Sequence, residues 1–170
     1  MAIASIRIGS MVLLVASVGG CAISNATVPL GAEQEKVKQV FVSFQKVLKD
    51  ADAEKIWAIL EADSQADAER KAETIRDIMA TGSDAEKAEM ERKLGLPGAD
   101  LAAVKGVGFL KTKRFLGKYA DVIDSKIEKI VVTGDRAVVS YIEEDGDRAS
   151  FDLHRRGDDW KLSVPMPTAK

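Results

Sequence analysis

Cys21 and His154 are the only cysteine and the only histidine in the 170 residues. One of each cannot build a zinc site, which takes four ligands at close spacing. No histidine–cysteine pairing and no Gly-x-Ser-x-Gly turn suggest a nucleophile. The run Glu143 to Asp147, "EEDGD", gathers carboxylates as a calcium loop would. It lacks the remaining ligands and the distal glutamate, so it is read as a solvated hairpin tip. "GVGF" at 106–109 has neither the preceding strand nor the following Lys-Ser/Thr of a phosphate loop. No cofactor and no metal are implied.

Acid–base chemistry has three candidates. His154 alternates out of phase with Phe151 and Leu153, which places it on a polar strand face with Ser150 and Asp152. A solvated strand histidine is expected there, and only a bulge would reverse its face. Tyr119 and Asp121 fall where the helical pattern gives way to strands. A tyrosine and a buried aspartate can polarise and deprotonate a carbonyl substrate. The plainer reading is a helix-end ring that packs and an aspartate that caps a turn. Tyr141 and Trp160 can line a pocket, but inward aromatics on strands usually belong to the core.

Cys21 has a different context. Arg7 is the single cation ahead of an apolar run, Met11 to Val18, with Ile8 just upstream. A run of that length suits a secretory signal, whose apolar region is typically ~7–15 residues. A mature membrane helix needs roughly 20. Val18, Gly19, Gly20 and Cys21 then resemble the bacterial lipobox, a branched apolar residue and two small residues before cysteine. The resemblance implies cleavage between Gly20 and Cys21, a diacylglyceryl group on the Cys21 thiol and acylation of the new amino group. The alternative is an ordinary signal whose cysteine is incidental. A lone cysteine in an exported chain forms no internal disulfide, and lipidation would account for it. Two or three acyl chains anchor firmly, at ~0.8 kcal/mol per buried methylene. Ala22 stands where an aspartate often retains lipoproteins in the inner membrane. The expectation is therefore the outer membrane of a two-membrane host, or otherwise the outer leaflet of the cell membrane.

Removing residues 1–20 takes away Arg7 alone and leaves 150 residues with 24 basic and 27 acidic side chains. That mild acidity gives no support to nucleic-acid binding. An apolar content of 46% suffices for one core. The expected organisation is a signal at 1–20, a lipidated cysteine and tether at 21–32, one domain at 33–165 and a tail at 166–170. Asn25-Ala26-Thr27 fits a glycosylation sequon, by coincidence in a bacterial tether.

The elements that must position these residues follow from periodicity. Val37, Val40, Phe41, Phe44, Val47 and Leu48 form one helical stripe. Asp50 or Asp52 caps a second helix at about 53–62 with Ile56, Trp57, Ile59 and Leu60. A third helix starts at Ser64, carries Ala68, Ala72, Ile75 and Met79, and ends at a left-handed Gly82. Ser83 to Glu86 is a capping box for a fourth helix reaching Leu94, closed by Gly95 and Pro97. Helical stretches at about 99–105 and 107–118 follow. After Tyr119 the period becomes two, with strands near 124–133, 136–143, 148–155 and 159–164 joined by glycine turns. The fold class is α+β, with N-terminal helices packed on one face of a curved C-terminal four-stranded antiparallel sheet.

This order resembles the nuclear-transport-factor-2-like superfamily, a cone of helices against a curved sheet. "DADAEKIWAIL" and "IEKIVVTGDRAVVSYIEEDGDRASFDLHRRGDDWKLSV" carry the resemblance, which covers most of 33–164. The superfamily includes isomerase-like and cyclase-like enzymes, ligand binders and dimeric adaptors, so fold alone does not choose among them. The leading expectation is a lipid-anchored, non-catalytic domain facing the periplasm or cell exterior. It would bind a small ligand, an envelope protein or a second copy of itself. The alternatives are an isomerase, dehydratase or cyclase using Tyr119 and Asp121, and a structural, sheet-poor envelope spacer. Lys111, Lys113, Arg114 and Lys118 around Phe109 and Phe115 either touch anionic lipid head groups or form the solvated face of a helix.

Overall fold

The computed structural model describes residues 31–168. The expected signal, Gly20 and Cys21, the sequon and most of the tether lie outside the described residues. Helix α1 (Ala32–Lys49) buries Val37, Phe41, Phe44, Val47 and Leu48, the stripe read from the sequence. Glu33 and Glu35 stand in its first turn and Lys46 and Lys49 in its last, each sign matched to the helix dipole. Asp52 caps α2 (Ala53–Ile59) by accepting the Lys55 N–H at 3.2 Å.

Helix α2 stops three residues earlier than expected. Leu60 is extended and bridges Leu162 in parallel, and the Glu61 N–H donates to the Leu162 carbonyl at 2.9 Å. Helix α3 (Ala62–Thr81) therefore begins at the sheet edge, not at Ser64. The Ser64 hydroxyl instead accepts the Val164 N–H at 2.8 Å, 100 residues away. Gly82 is not left-handed; its φ is −71°. Glycine is required there for space, because a Cβ would lie 2.5 Å from the Ile78 carbonyl oxygen. The capping box of α4 (Asp84–Leu94) forms as read, and Gly95 ends that helix at φ 72°. After α5 (Gly98–Ala102) the expected helix at 107–118 is two short ones, α6 (Gly106–Phe109) and α7 (Lys113–Lys118). Thr112 makes the break: its hydroxyl donates to the Phe109 carbonyl at 2.7 Å and accepts the Phe115 N–H at 3.3 Å.

Strands β1 (Lys126–Thr133), β2 (Arg136–Ile142), β3 (Arg148–Arg156) and β4 (Asp159–Ser163) form an open antiparallel meander in that order. Such a sheet is not the sheet-poor molecule a helical spacer requires. A bulge falls between Ile127 and Lys129. The inward positions Val139, Tyr141, Phe151, Leu153, Trp160 and Leu162 are buried against the helices. Outward stand Ser140 opposite Ser150, and Val138 opposite Asp152. Packing continues past residue 165, since Met166 is buried and the Arg114 guanidinium donates to the Thr168 hydroxyl at 2.7 Å.

The end of α1 carries a local strain. Asp52 N–H bonds to the Val47 carbonyl at 3.0 Å and Ala51 N–H to the Leu48 carbonyl at 3.1 Å, the paired bonds of a Schellman turn. That turn needs a left-handed residue, and Ala51 occupies it at φ 50°. Ala51→Gly should therefore stabilise the domain by about 0.5–1 kcal/mol, read as a higher urea midpoint at unchanged slope.

Candidate functional site

The expected likeness to the nuclear-transport-factor-2-like superfamily would put a substrate between the two layers. Here that space is filled by rings. Phe151 lies at the centre, with centroids 5.7 Å from Phe44, 6.0 Å from Tyr119, 5.3 Å from Tyr141 and 6.3 Å from Phe41. Phe115 extends the cluster, 5.1 Å from Tyr119. All six are buried. Rings at these separations gain edge-to-face and offset contacts beyond the area they bury.

Tyr119 is part of this cluster, and its hydroxyl donates to the Pro165 carbonyl. Burial raises its hydroxyl well above the ordinary tyrosine range. Asp121 is exposed. Its charge acts on Glu143, which is raised by its own partial desolvation first and then by Asp121, Asp145 and Asp147. The structure thus sends the two candidates in different directions: Tyr119 into the core, Asp121 to the acidic hairpin tip. Tyr141 is pushed up to about 12 by burial, with Glu143 adding to it. Within the tip, Glu143 N–H donates to the Asp147 carbonyl at 2.8 Å and Gly146 N–H to the Glu143 carbonyl at 3.0 Å, as a hairpin end should. Among the described residues no cluster of His, Cys, Asp and Glu could hold a metal ion.

His154 stands on the outer face with Asp152, as its alternation predicts, but it has a partner. Its Nδ1 lies 2.6 Å from Glu61 Oε2, and the Arg156 guanidinium donates to Glu61 Oε1. The Glu61 side chain is only 3% exposed, against 33% for His154 and 60% for Arg156. Glu61 reaches this position because Leu60 pairs with β4, so its carboxylate passes over β4 to β3. A buried carboxylate on one histidine nitrogen fixes the ring and aims the other nitrogen elsewhere, the arrangement that orients general bases. The bond to Glu61 is the only side-chain hydrogen bond of His154 among the described residues. Among the described residues no hydroxyl hydrogen-bonds the His154 ring, and the pair joins the α2–α3 junction to the sheet.

Two further ion clusters position the surface. Glu33 accepts from the Arg155 guanidinium at 2.6 Å and from the Trp160 indole N–H at 3.0 Å, and Arg155 lies 5.0 Å over the Trp160 ring. Hydrogen bonds from Lys36 and Trp160 hold the Glu33 carboxyl below its usual value. Beside this cluster an open groove of about 490 Å³ runs between α1, α2 and β4, with Val40, Ile59 and Trp160 among its lining. On α3, Glu69 accepts the Gly106 N–H at 2.6 Å and the Arg76 guanidinium at 3.1 Å. Arg76 also donates to the Val104 carbonyl at 2.5 Å. Gly106 must be glycine, since a Cβ would sit 2.9 Å from both Glu69 Oε2 and the Trp57 ring. This clasp fixes the backbone on both sides of Lys105.

Sequence reasoning did not find Glu61, Glu33 or Glu69. Their partners lie 93, 127 and 37 residues away, and no local spacing signals such contacts. The one available hint was a lone glutamate directly after the apolar stripe ending at Leu60.

Two measurements follow. Glu61→Ala should cost about 1–3 kcal/mol, because it strips His154 and Arg156 of a desolvated acceptor. A double-mutant cycle with His154→Ala should show a coupling of at least about 0.5 kcal/mol; additive losses would mean the pair is incidental. The Gly106 N–H holds Glu69 below its ordinary value of 4.5. Its contribution is present above that pH and is lost as pH falls below it, so Glu69→Gln should flatten the acid limb of the stability profile. No family model matches the chain, and neither a curated protein nor a solved structure matches it.

Proposed function

We propose that this is an exported domain held at a membrane by lipid on Cys21, and that it binds a ligand or partner at its surface without catalysing a reaction. The observation that carries the non-catalytic part is the ring-filled interior. Phe41, Phe44, Phe115, Tyr119, Tyr141 and Phe151 occupy the space a cone enzyme gives to its substrate. Tyr119 spends its hydroxyl on Pro165, and Asp121 faces solvent, so the isomerase-like pair has no shared cavity.

The anchor rests on Val18-Gly19-Gly20-Cys21 and the apolar run before it. The first described helix starts at Ala32, so ten residues separate Cys21 from Ala32 and serve as the tether. Among the described residues no helix is long and apolar enough to cross a membrane. Helices followed by a four-stranded meander support the likeness to the nuclear-transport-factor-2-like superfamily, at the level of architecture. Outer-membrane placement rests on Ala22 alone. The groove beside Trp160 and the outer sheet face are the surfaces open to a small ligand, an envelope protein or a second copy.

Intact mass of the protein extracted from membranes tests the anchor. The expected species begins at Cys21 and carries added acyl mass, and Cys21→Ala abolishes it. A wild-type species without acyl mass, or one cleaved elsewhere, would overturn the reading.

A further inference from the structure

The segment 101–120 carries Lys105, Lys111, Lys113, Arg114 and Lys118 and no acidic residue, in a chain whose formal charge is −2. Many cations elsewhere sit on carboxylates, among them Lys36 on Glu33, Arg76 on Glu69, Arg92 on Glu89 and Arg148 on Glu128, although Lys46, Lys49, Lys126 and Lys129 do not; this segment differs in gathering five cations with no acidic residue among them. Among the described residues none of the five cations in this segment forms an ion pair, and the four lysines are exposed. Lys118 lies 5.7 Å over the Tyr119 ring, and Arg114 bonds only the neutral Thr168 hydroxyl in its described contacts.

The cations also border apolar surface. Lys105 and Lys111 flank a shallow depression whose lining includes Leu96, Val104, Val107 and Asp100. Lys113 lies alongside, its methylenes within 2.7 Å of where a Cβ on Gly95 would stand. Leu96 and Val107 are only partly buried. Ammonium groups ringing half-exposed aliphatic side chains match the lipid interface, where phosphates lie just above acyl chains. The Glu69–Gly106 and Arg76–Val104 bonds hold this backbone rigid, so the arrangement is preformed.

We infer that the α6–α7 face docks on an anionic membrane surface. The inference rests on the proposed Cys21 anchor for its setting but makes its own contact. Gln45, near the end of α1, donates to the Val122 and Ser125 carbonyls, which places the chain that follows α7 at that end of α1. The 18-residue helix is about 27 Å long, at ~1.5 Å per residue. The ten residues 22–31 extend to at most about 35 Å. A tether leaving the start of α1 can therefore run back along the helix and let the basic face lie on the same membrane.

The test uses full-length Cys21→Ala protein, so that no acyl chain contributes. Its partition is measured on phosphatidylcholine vesicles with and without phosphatidylglycerol. The anionic-dependent excess is the readout, which cancels any contribution of the shared N-terminal segment. Lys105→Gln/Lys111→Gln/Lys113→Gln should lower that excess about 100-fold, from the roughly 1 kcal/mol each lysine contributes at an anionic surface. Arginine at the same three positions should restore it. A control with the same charge loss, Lys36→Gln/Lys38→Gln/Lys129→Gln, should remain close to the parent. Equal losses in both triple variants, or no anionic excess in the parent, would overturn the inference. Neither outcome bears on Cys21 acylation, which the mass measurement decides separately.

Discussion

Leu60 and Glu61, on the edge of β4, form the one seam where the helical layer pairs backbone to backbone with the sheet among the described residues. Leu60 extends the sheet by a single parallel bridge, and Glu61 continues it with a backbone bond to Leu162. That seam ends α2, starts α3 and covers part of an edge strand that would otherwise offer its backbone to another chain. It also carries a carboxylate across the sheet edge to His154 and Arg156. Such a buried acceptor is costly unless both oxygens are satisfied, and here both are. The single histidine is thereby tied to the α2–α3 junction.

The interior follows a similar logic. Helix α1 places Phe41 and Phe44 against Tyr141 and Phe151, and Tyr119 completes the contact from the helix-to-sheet junction. Rings fill the space between the layers, and burial raises both tyrosine hydroxyls above their ordinary value. The outside of the molecule offers three distinct surfaces. There the Trp160 groove, the outer sheet face and the basic α6–α7 face differ in chemistry: the first is apolar with a mixed rim, the second mixed in charge, the third cationic.

The basic face depends on a clasp that no surface property would reveal. Glu69 and Arg76, both on α3, bind backbone groups at Gly106 and Val104. The intervening Lys105 is held outward as a result, and Thr112 turns the chain so that Lys111 and Lys113 fall beside Leu96 and Gly95. An acidic residue in this segment would have supplied a local partner. None is present within it, although Glu69 feels the charge of Lys105 and Asp100 shares the depression with Lys105 and Lys111.

Sequence alone determined what depends on near neighbours. The stripe from Val37 to Leu48 set the buried face of α1, and the Ser83–Glu86 box set the start of α4, because helix periodicity and capping act within a few residues. The alternation after Tyr119 set four strands and the buried faces of β2, β3 and β4, and glycines at 134, 146 and 157 set their turns. The N-terminal run and Cys21 were likewise read from adjacent residues, and they lie outside the described part of the chain. Tertiary structure decided what depends on distant groups. Ser64 became an acceptor for Val164 instead of a cap, Gly82 was needed for clearance from Ile78 and not for a left-handed turn, and Tyr119 was separated from Asp121. Glu61 acquired a histidine and an arginine from β3 by the same route. A backbone or side-chain group accepts whichever partner the packed layers bring within about 3 Å, and that partner is fixed by the fold of the whole chain and by no local spacing.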